Sequence, residues 1–241
     1  MKTINAEWEM RNLGVECQEL NIDKAEKFAD VEAAVDQLDA EYQIVRVPSG
    51  RTEILLLAQR KGFQFIEMNI QFERRFVARP LLPSMFKRYE NSIGFHVASQ
   101  PEIEDVLEEV ASGNMFLTDK VSLDPFFGPA LAGKRYALWA ADLMKQGAAL
   151  RMATYKEVSV GFCLNIPREG YHDAFLGGVF PRYEAKGFGF LPLYANLASI
   201  YDQGGRIMRT GVSSNNLPIV KLHQVFDCLI TGLTYVLFKH I

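Results

Sequence analysis

A glycine-bearing turn between two apolar segments is the feature that most constrains the fold of this chain. Residues 173–190 read DAFLGGVFPRYEAKGFGF, an apolar run that breaks at Phe180 and enters a charged turn. The chain then becomes apolar again until a stop at Asp202. This pattern predicts a strand, a loop and a helix, with Gly187 and Gly189 at the helix start. Glycines there let backbone N–H groups converge on a phosphate at the positive end of the helix.

A second segment downstream completes a recognisable pattern. Residues 206–228 read RIMRTGVSSNNLPIVKLHQVFDC, and LITGLTYVLFKH follows them. Together the two segments resemble the acyl-CoA half of the GNAT (Gcn5-related) N-acetyltransferases. In that family the loop follows Gln/Arg-x-x-Gly-x-Gly/Ala, which corresponds to residues 184–189 here. The later helix follows Asn-x-x-Ala-x-x-Leu-Tyr, which corresponds to residues 216–223.

The resemblance implies an α/β GNAT fold, with a mixed central sheet and flanking helices, that uses acetyl-CoA as co-substrate. In this family the strand that ends near Val179 is bulged and splays from its neighbour, so backbone groups are free to bind pantetheine. A free N–H near Val179 would also stabilise negative charge on the thioester oxygen. Asn216 is predicted to cap the helix that follows it. The residues assigned to acyl-CoA are Val179, Phe180, Glu184, Ala185, Lys186, Gly187, Phe188, Gly189 and Asn216.

Two residues depart from the family pattern. Glu184 stands where members carry Gln or Arg, and its carboxylate would repel phosphate unless it faces solvent or pairs with Arg182 or Lys186. His223 stands where members carry Tyr, the residue that protonates the leaving CoA thiolate. An imidazolium could do so at neutral pH only if its pKa is raised, so an acid role and simple packing are both open.

The reaction also needs a base, because an amine bound as ammonium must lose a proton before it attacks the acyl carbon. Acidic side chains in the second part of the chain are the candidates for this role. Asp173 is the assigned catalytic base, and the alternatives are Glu157, Asp119 and Asp124.

Two stretches of the chain share one order of elements. Residues 43–74 and 208–239 both read as strand, turn, helix, turn and strand, and alignment of Val47 with Val212 brings further identical residues together. Convergent amphipathic patterning is the alternative explanation. The shared order favours an internal repeat.

The repeat predicts two parts. Residues 1–98 would form a degenerate, truncated GNAT-like half, and residues 99–241 the GNAT acyl-CoA-binding catalytic domain. Ala58 aligns with His223, so the first half should not carry the catalytic chemistry. It would instead form a wall of the acceptor site or a structural partner.

The segment between the repeats resembles one group within this family. Helices are predicted from 101 to 110 and from about 129 to 145, with a loop at 118–125. The loop and the following Lys-Arg-Tyr-x-x-Trp helix resemble the TDP-fucosamine acetyltransferases, which act on a nucleotide-linked amino sugar. Asp124, Tyr136 and Trp139 are assigned to substrate binding on this basis. A turn at Asp124 and a core stripe at Tyr136 and Trp139 are the structural alternatives.

Composition limits the partners. A net charge of −3 argues against bulk attraction to nucleic acid or to an anionic membrane. Three scattered cysteines form no metal-binding or disulfide pattern and suit a cytoplasmic protein. Cations that could hold nucleotide phosphates cluster at Arg74, Arg75, Arg79, Lys87 and Arg88, although a solvated charged surface explains such a run more often than not.

The sequence therefore predicts an enzyme: a GNAT-type N-acetyltransferase in which a substrate amine attacks the acyl group directly. A nucleotide-linked amino sugar is the favoured acceptor. The alternatives are another small amine, a protein amine, or a non-catalytic acyl-CoA-binding scaffold. A homodimer is an open alternative to a monomer.

Overall fold

All ten strands join one mixed sheet in a computed structural model that describes residues 1–241. The strands are β1 Lys2–Asn5, β2 Cys17–Asn21, β3 Tyr42–Pro48, β4 Gln64–Arg75, β5 Ile93–Val97, β6 Ala149–Tyr155, β7 Val158–Arg168, β8 Tyr171–Val179, β9 Ile207–Ser213 and β10 Leu229–His240. Their order is β1-β2-β3-β10-β4-β9-β8-β7-β6-β5. The pairs β2–β3 and β8–β9 are parallel, and the remaining pairs are antiparallel.

Eight helices cover the two faces of this sheet. They are α1 Glu7–Leu13, α2 Phe28–Asp36, α3 Thr52–Arg60, α4 Gln100–Ala111, α5 Lys120–Leu123, α6 Gly128–Lys145, α7 Leu191–Asp202 and α8 Leu217–Val225. Helices α1, α4, α5 and α6 pack on one face, and α2, α3, α7 and α8 pack on the other. None of them combines the length and the apolarity that a membrane crossing requires.

The internal repeat is confirmed by strand register. Val47 pairs with Tyr235 across β3 and β10, and Val212 pairs with Ile70 across β9 and β4, as the sequence alignment of Val47 with Val212 requires. Asn69 and its repeat partner Thr234 pair with each other, on the axis that relates the two units. Chance amphipathic patterning would not reproduce one register in both strand pairs.

The two units exchange their last strands. Strand β10 lies between β3 and β4 of the first unit, and β4 pairs with β9 of the second. The sheet is therefore continuous across the predicted boundary between residues 98 and 99. That division stays a prediction about folding units, because neither part holds a complete set of its own strands.

Most predicted elements are present, with two corrections. The helices expected near 101–110 and 129–145 are α4 and α6, and α4 begins with a capping box formed by Ser99 and Glu102. The loop at 118–125 contains the short helix α5, whose first turn is capped by Asp119. Helix α7 begins at Leu191, beyond the glycines, because residues 181–183 form a 3₁₀ turn and the loop extends to Phe190.

Candidate active site

Strands β8 and β9 open into a cleft. Their parallel pairing is limited to His172 with Met208 and Asp173 with Arg209, after which residues 174–179 and 210–213 diverge. The predicted bulge is present on β8: opposite Leu164 and Asn165, Phe175 is the additional residue. A cavity of about 650 Å³ lies in this opening and is lined by both strands.

The opening leaves backbone groups of β8 without a strand partner. The Phe180 N–H donates to the Val160 carbonyl at 3.0 Å, on the side of β7. Because backbone groups alternate along a strand, the Val179 N–H points to the other side, into the opening. Val179 lines the cavity, whereas the Phe180 side chain is buried in the core between α4, α6 and the sheet. Of these two assigned residues, the structure brings only Val179 to the cavity.

The glycine loop forms the mouth of the cavity. Glu184, Gly187 and Gly189 line it, and Gly187 has a φ of 82°, which favours glycine. Ala185 is also left-handed, with a φ of 58°. Helix α7 begins directly after this loop without a side-chain cap, so the positive end of its dipole lies next to the loop.

Three other assigned loop residues do not line the cavity. Lys186 extends over the Tyr183 ring, 5.1 Å from its centroid, and Phe188 packs on Tyr155 at 4.8 Å. Ala185 is exposed. Glu184 is exposed as well and forms no ion pair with Lys186 or with Arg182, which pairs with Glu109 instead. Of the two expectations for Glu184, solvent exposure is the one observed.

Asn216 is the N-cap of α8, as predicted. Its side-chain oxygen accepts a hydrogen bond from the Ile219 N–H at 3.3 Å, and the residue also lines the cavity. The cap satisfies one of the free N–H groups of the first helical turn.

We expect Asn216→Ala to lower the free energy of unfolding by about 1 kcal/mol, because that N–H loses its partner. Asn216→Asp should keep the parent stability, since a carboxylate caps equally well. Urea unfolding of both variants measures the difference. Equal destabilisation of the two variants would contradict a capping role.

His223 is buried and neutral in this site. Its ring stacks on Phe72 at 4.8 Å, and Nδ1 lies 2.8 Å from the Ile219 carbonyl oxygen. A carbonyl can only accept, so Nδ1 carries the proton and Nε2 is bare. Burial lowers the pKa of His223, the opposite of what a general acid at neutral pH requires. The packing alternative fits this geometry.

We expect His223→Phe to keep the maximal acetylation rate within about threefold of the parent, because loss of a true proton donor costs about 100-fold or more. The aromatic ring keeps the stack on Phe72. The pH dependence of the rate between pH 6 and 8 should also be unchanged. A large fall in rate with an altered pH profile would restore the acid role.

The far end of the cavity is a buried network of charges. Arg135 donates to Glu9 with Nε and Nη2, at 2.8 and 2.7 Å. Lys120 Nζ lies 3.0 Å from Glu19 and 3.6 Å from Glu9. These side chains come from α1, β2, α5 and α6, so the first half of the chain contributes to the site. The predicted role of that half as a wall of the cavity agrees with this arrangement.

Aromatic residues form the wall beside this network. Tyr136 and Trp139, the two aromatic residues predicted to bind the acceptor, both line the cavity. The Tyr136 hydroxyl donates to Asp119 at 2.7 Å, and Trp139 packs edge-on against Phe175 at 5.6 Å. Their contact with a substrate stays a prediction.

Glu67 is the buried carboxylate without a complete set of partners. It lies in β4, lines the cavity and is 5% exposed, and its Oε2 accepts no hydrogen bond. Burial raises the pKa of the Glu67 carboxyl, because the surroundings disfavour its charged form. A carboxylate held in this way is suited to accept a proton.

Solved structures share this architecture. No family model and no curated protein matches the sequence. A GCN5-related N-acetyltransferase from Sphaerobacter thermophilus superposes with a TM-score of 0.68 at 12% identity, over 99% of this chain and 75% of that one. The chain has the GNAT fold. A tandem GNAT protein from the clavulanic acid biosynthesis pathway superposes with a TM-score of 0.55 at 12% identity, over 93% of this chain and 75% of that one, and fits the two-unit description.

Within the GNAT fold, two assigned residues lie away from the cavity. Asp173 sits where β8 and β9 are still paired, and its carboxylate is 3.5 Å from Arg168. Asp124 is fully buried beneath the C-terminus: one oxygen accepts the Phe126 N–H, and the other lies 2.8 Å from His240 Nε2. Both carboxylates are engaged in local structure, so neither supports the base or substrate role expected of it.

The predicted phosphate-binding cations also lie elsewhere. Arg74 pairs with Asp227, Arg75 with Glu73 and Arg79 with Asp202, while Arg88 lies over the Tyr89 ring. None of the five cations of this cluster lines the cavity of the GNAT fold. They fit the alternative of a solvated charged surface.

Three residues of the site, Glu67, Glu9 and Arg46, were not predicted from the sequence. The one available signal was Glu67 itself, an acid inside the apolar strand segment FIEMNI. Glu9 gave no local signal, because its partner Arg135 is 126 residues away along the chain.

Proposed function

We propose that this protein is an acyl-CoA-dependent N-acyltransferase that acts on a small primary amine. One observation carries the proposal: a single cavity joins the opened strands and glycine loop at one end to the buried carboxylate of Glu67 at the other. The first end is suited to a pantetheine thioester, and the second to an amine that must lose a proton. Acetyl is the favoured acyl group, as in the GNAT fold neighbours.

The residues of the cleft fit the CoA portion of acyl-CoA. The N-terminus of α7 and the backbone of residues 187–189 would hold the pyrophosphate, and the open edge of β8 would bind the pantetheine amides. The thioester supplies the acyl group. The Val179 N–H, directed into the opening, would bind its carbonyl oxygen and polarise it.

Glu67 would prepare the amine for attack. An ammonium that enters the cavity gives one proton to the Glu67 carboxylate, and the neutral nitrogen then forms the new C–N bond as the C–S bond breaks. As the amide forms, its nitrogen loses a second proton, which reaches the departing sulfur directly or through water, and the third proton stays on the amide nitrogen. The raised pKa of Glu67 brings its basicity closer to that of a base working near neutral pH.

The acceptor is proposed as a small amine rather than a nucleotide-linked amino sugar. The cations that favoured a nucleotide lie outside the cavity, and Lys120 and Arg135 inside it are already paired with carboxylates. The TDP-fucosamine resemblance therefore has no support from the acceptor end.

Isothermal titration with acetyl-CoA, with desulfo-CoA and a free nucleotide as controls, tests the cofactor end. We expect pantetheine-dependent binding, followed by turnover when a suitable amine is added. Binding without turnover of any amine would favour the non-catalytic scaffold. Absence of binding would contradict the assignment of the cleft to acyl-CoA.

A further inference from the structure

Two side chains beside the buried network of charges, Glu67 and Arg46, have polar atoms that make no hydrogen bond. Glu67 Oε2 accepts no hydrogen bond, although it is buried. Arg46 donates to Glu19 through Nε at 3.1 Å, and its two terminal nitrogens make no hydrogen bond within the protein. In contrast, both oxygens of Asp119 are engaged, by the Ser122 N–H and the Tyr136 hydroxyl.

Arg46 and Glu67 face the same side of the sheet. Val236 in β10 pairs with Arg46 on one side and with Glu67 on the other, so the three residues form one cross-strand row. Two strand spacings place the Arg46 and Glu67 Cα atoms about 10 Å apart. No ion pair joins the two side chains, and both line the cavity. The site thus holds a free guanidinium edge and a free carboxylate oxygen at a fixed separation.

We propose that the acceptor is a primary amine that also carries a carboxylate, with its amine at Glu67 and its carboxylate on Arg46. This inference rests on the acyl transfer proposed above and names the acceptor class. A zwitterion of this kind matches the free carboxylate oxygen of Glu67 and the free terminal nitrogens of Arg46. The two terminal nitrogens of one guanidinium match the two oxygens of a carboxylate in a bidentate pair.

A phosphate or pyrophosphate fits less well. It carries more negative charge, and each cation here already faces a carboxylate: Arg46 and Lys120 face Glu19, and Arg135 faces Glu9. A buried anion without compensation is strongly disfavoured. The two free terminal nitrogens of Arg46 therefore suit the single charge of a carboxylate better than the larger charge of a phosphate.

The surroundings of Arg46 leave room for the rest of the acceptor. Arg46 and Asn69 line the main cavity and also a smaller adjoining one of about 230 Å³. The other residues of the smaller cavity include the polar side chains of Asn21, Gln71 and Thr234. An amino acid with a polar side chain could place that side chain there while its carboxylate stays on Arg46.

The test compares amines with and without a carboxylate. The purified protein with saturating acetyl-CoA is assayed on the twenty standard amino acids, β-alanine and γ-aminobutyrate, each beside its decarboxylated counterpart. Glucosamine 6-phosphate and a nucleotide-linked amino sugar supply the phosphate arm. We expect at least one carboxylate-bearing amine to exceed its counterpart in kcat/KM by about 100-fold or more, because the counterpart leaves the terminal nitrogens of Arg46 without an acceptor.

Variants of Arg46 assign that preference to its side chain. In Arg46→Met the ratio between an amino acid and its counterpart should fall by about 100-fold or more, mainly through a higher KM for the amino acid. Arg46→Lys should keep part of the ratio, because it keeps the charge but loses the bidentate geometry. An unchanged dissociation constant for acetyl-CoA shows that each variant is folded.

Two results would overturn the inference while acyl transfer stands. The first is equal or faster reaction of the decarboxylated amines, and the second is a preference for the phosphate-bearing sugars. Failure of acetyl-CoA to bind, or of the bound protein to acetylate any amine, would instead overturn the proposed function.

Discussion

Glu67→Gln should lower kcat/KM for amine acetylation by about 10²- to 10⁴-fold and leave the dissociation constant for acetyl-CoA unchanged. The amide keeps the size of the side chain but cannot take a proton from the ammonium. Steady-state kinetics with the preferred amine, together with titration of acetyl-CoA, measures the two effects separately. Glu73→Gln is the matched control, since Glu73 lies in the same strand, outside the cavity, and pairs with Arg75 and Arg209.

The pH dependence of the same variant is a second readout. Only ionised Glu67 accepts a proton, so the parent kcat/KM should fall as pH falls through the raised pKa of this group, above the ordinary range of a glutamate. This fall in kcat/KM at low pH should be absent in Glu67→Gln. A parent profile that stays flat into the ordinary glutamate range, or a variant that keeps full activity, would remove Glu67 from the mechanism.

The stability of the folded protein should have the opposite pH dependence to kcat/KM. Since the folded state raises the pKa of Glu67, it binds a proton more readily than the unfolded chain, and stability declines as pH rises through that window. At neutral pH the ionised, buried Glu67 therefore destabilises the fold. Glu67→Gln should raise the melting temperature at pH 7 and lose this advantage at acidic pH. A gain in stability with a loss of rate would show that inactivity is not due to unfolding.

Gly189→Trp should weaken acetyl-CoA binding by about 100-fold or more, because an indole would fill the space in front of the α7 N-terminus. A Cβ added at Gly189 meets no atom within 4 Å, and its backbone is not left-handed, so the fold should tolerate the substitution. Gly187 is the less informative position, since its φ of 82° would strain any larger residue.

Gly189→Ala tests whether the size of the new side chain, and not the loss of glycine itself, weakens acetyl-CoA binding. A methyl group fits the open space, and we expect this variant to bind acetyl-CoA as the parent does. Titration calorimetry of the two variants measures the contrast, with far-ultraviolet circular dichroism as the check on folding. Parent-like affinity in Gly189→Trp would exclude the loop from the pyrophosphate site.

The sequence was most informative where function depends on local backbone. The glycine loop and the Asn216 cap follow from residues that are neighbours in the chain, and the bulged strand before the loop follows from the family resemblance, so their placement could be predicted. The repeat was also visible, because equivalent residues such as Val47 and Val212 occupy equivalent registers. The exchange of β4 and β10 could not be predicted, since neither segment alone shows which strand will pair with it.

The acceptor end could not be predicted for the same reason. Its charges become neighbours only after α1, β2, β3, α5 and α6 assemble around the cavity. Asp173 and Asp124 were reasonable bases by residue type, yet local partners engage both. Glu67 was not a candidate, because it lies in a strand of the half that was expected to carry no chemistry. A buried oxygen without a hydrogen-bond partner, which the sequence alone does not show, distinguishes Glu67 from both aspartates.

The most direct test of the account is to detect the acetylated amine by mass spectrometry after incubation of the purified protein with acetyl-CoA and the amine panel. The account predicts an N-acetylated product in the parent reaction, with one CoA thiol released for each amide formed, and almost none with Gly189→Trp. Release of CoA thiol without an acetylated amine, or equal product from both proteins, would contradict acyl transfer at this cavity.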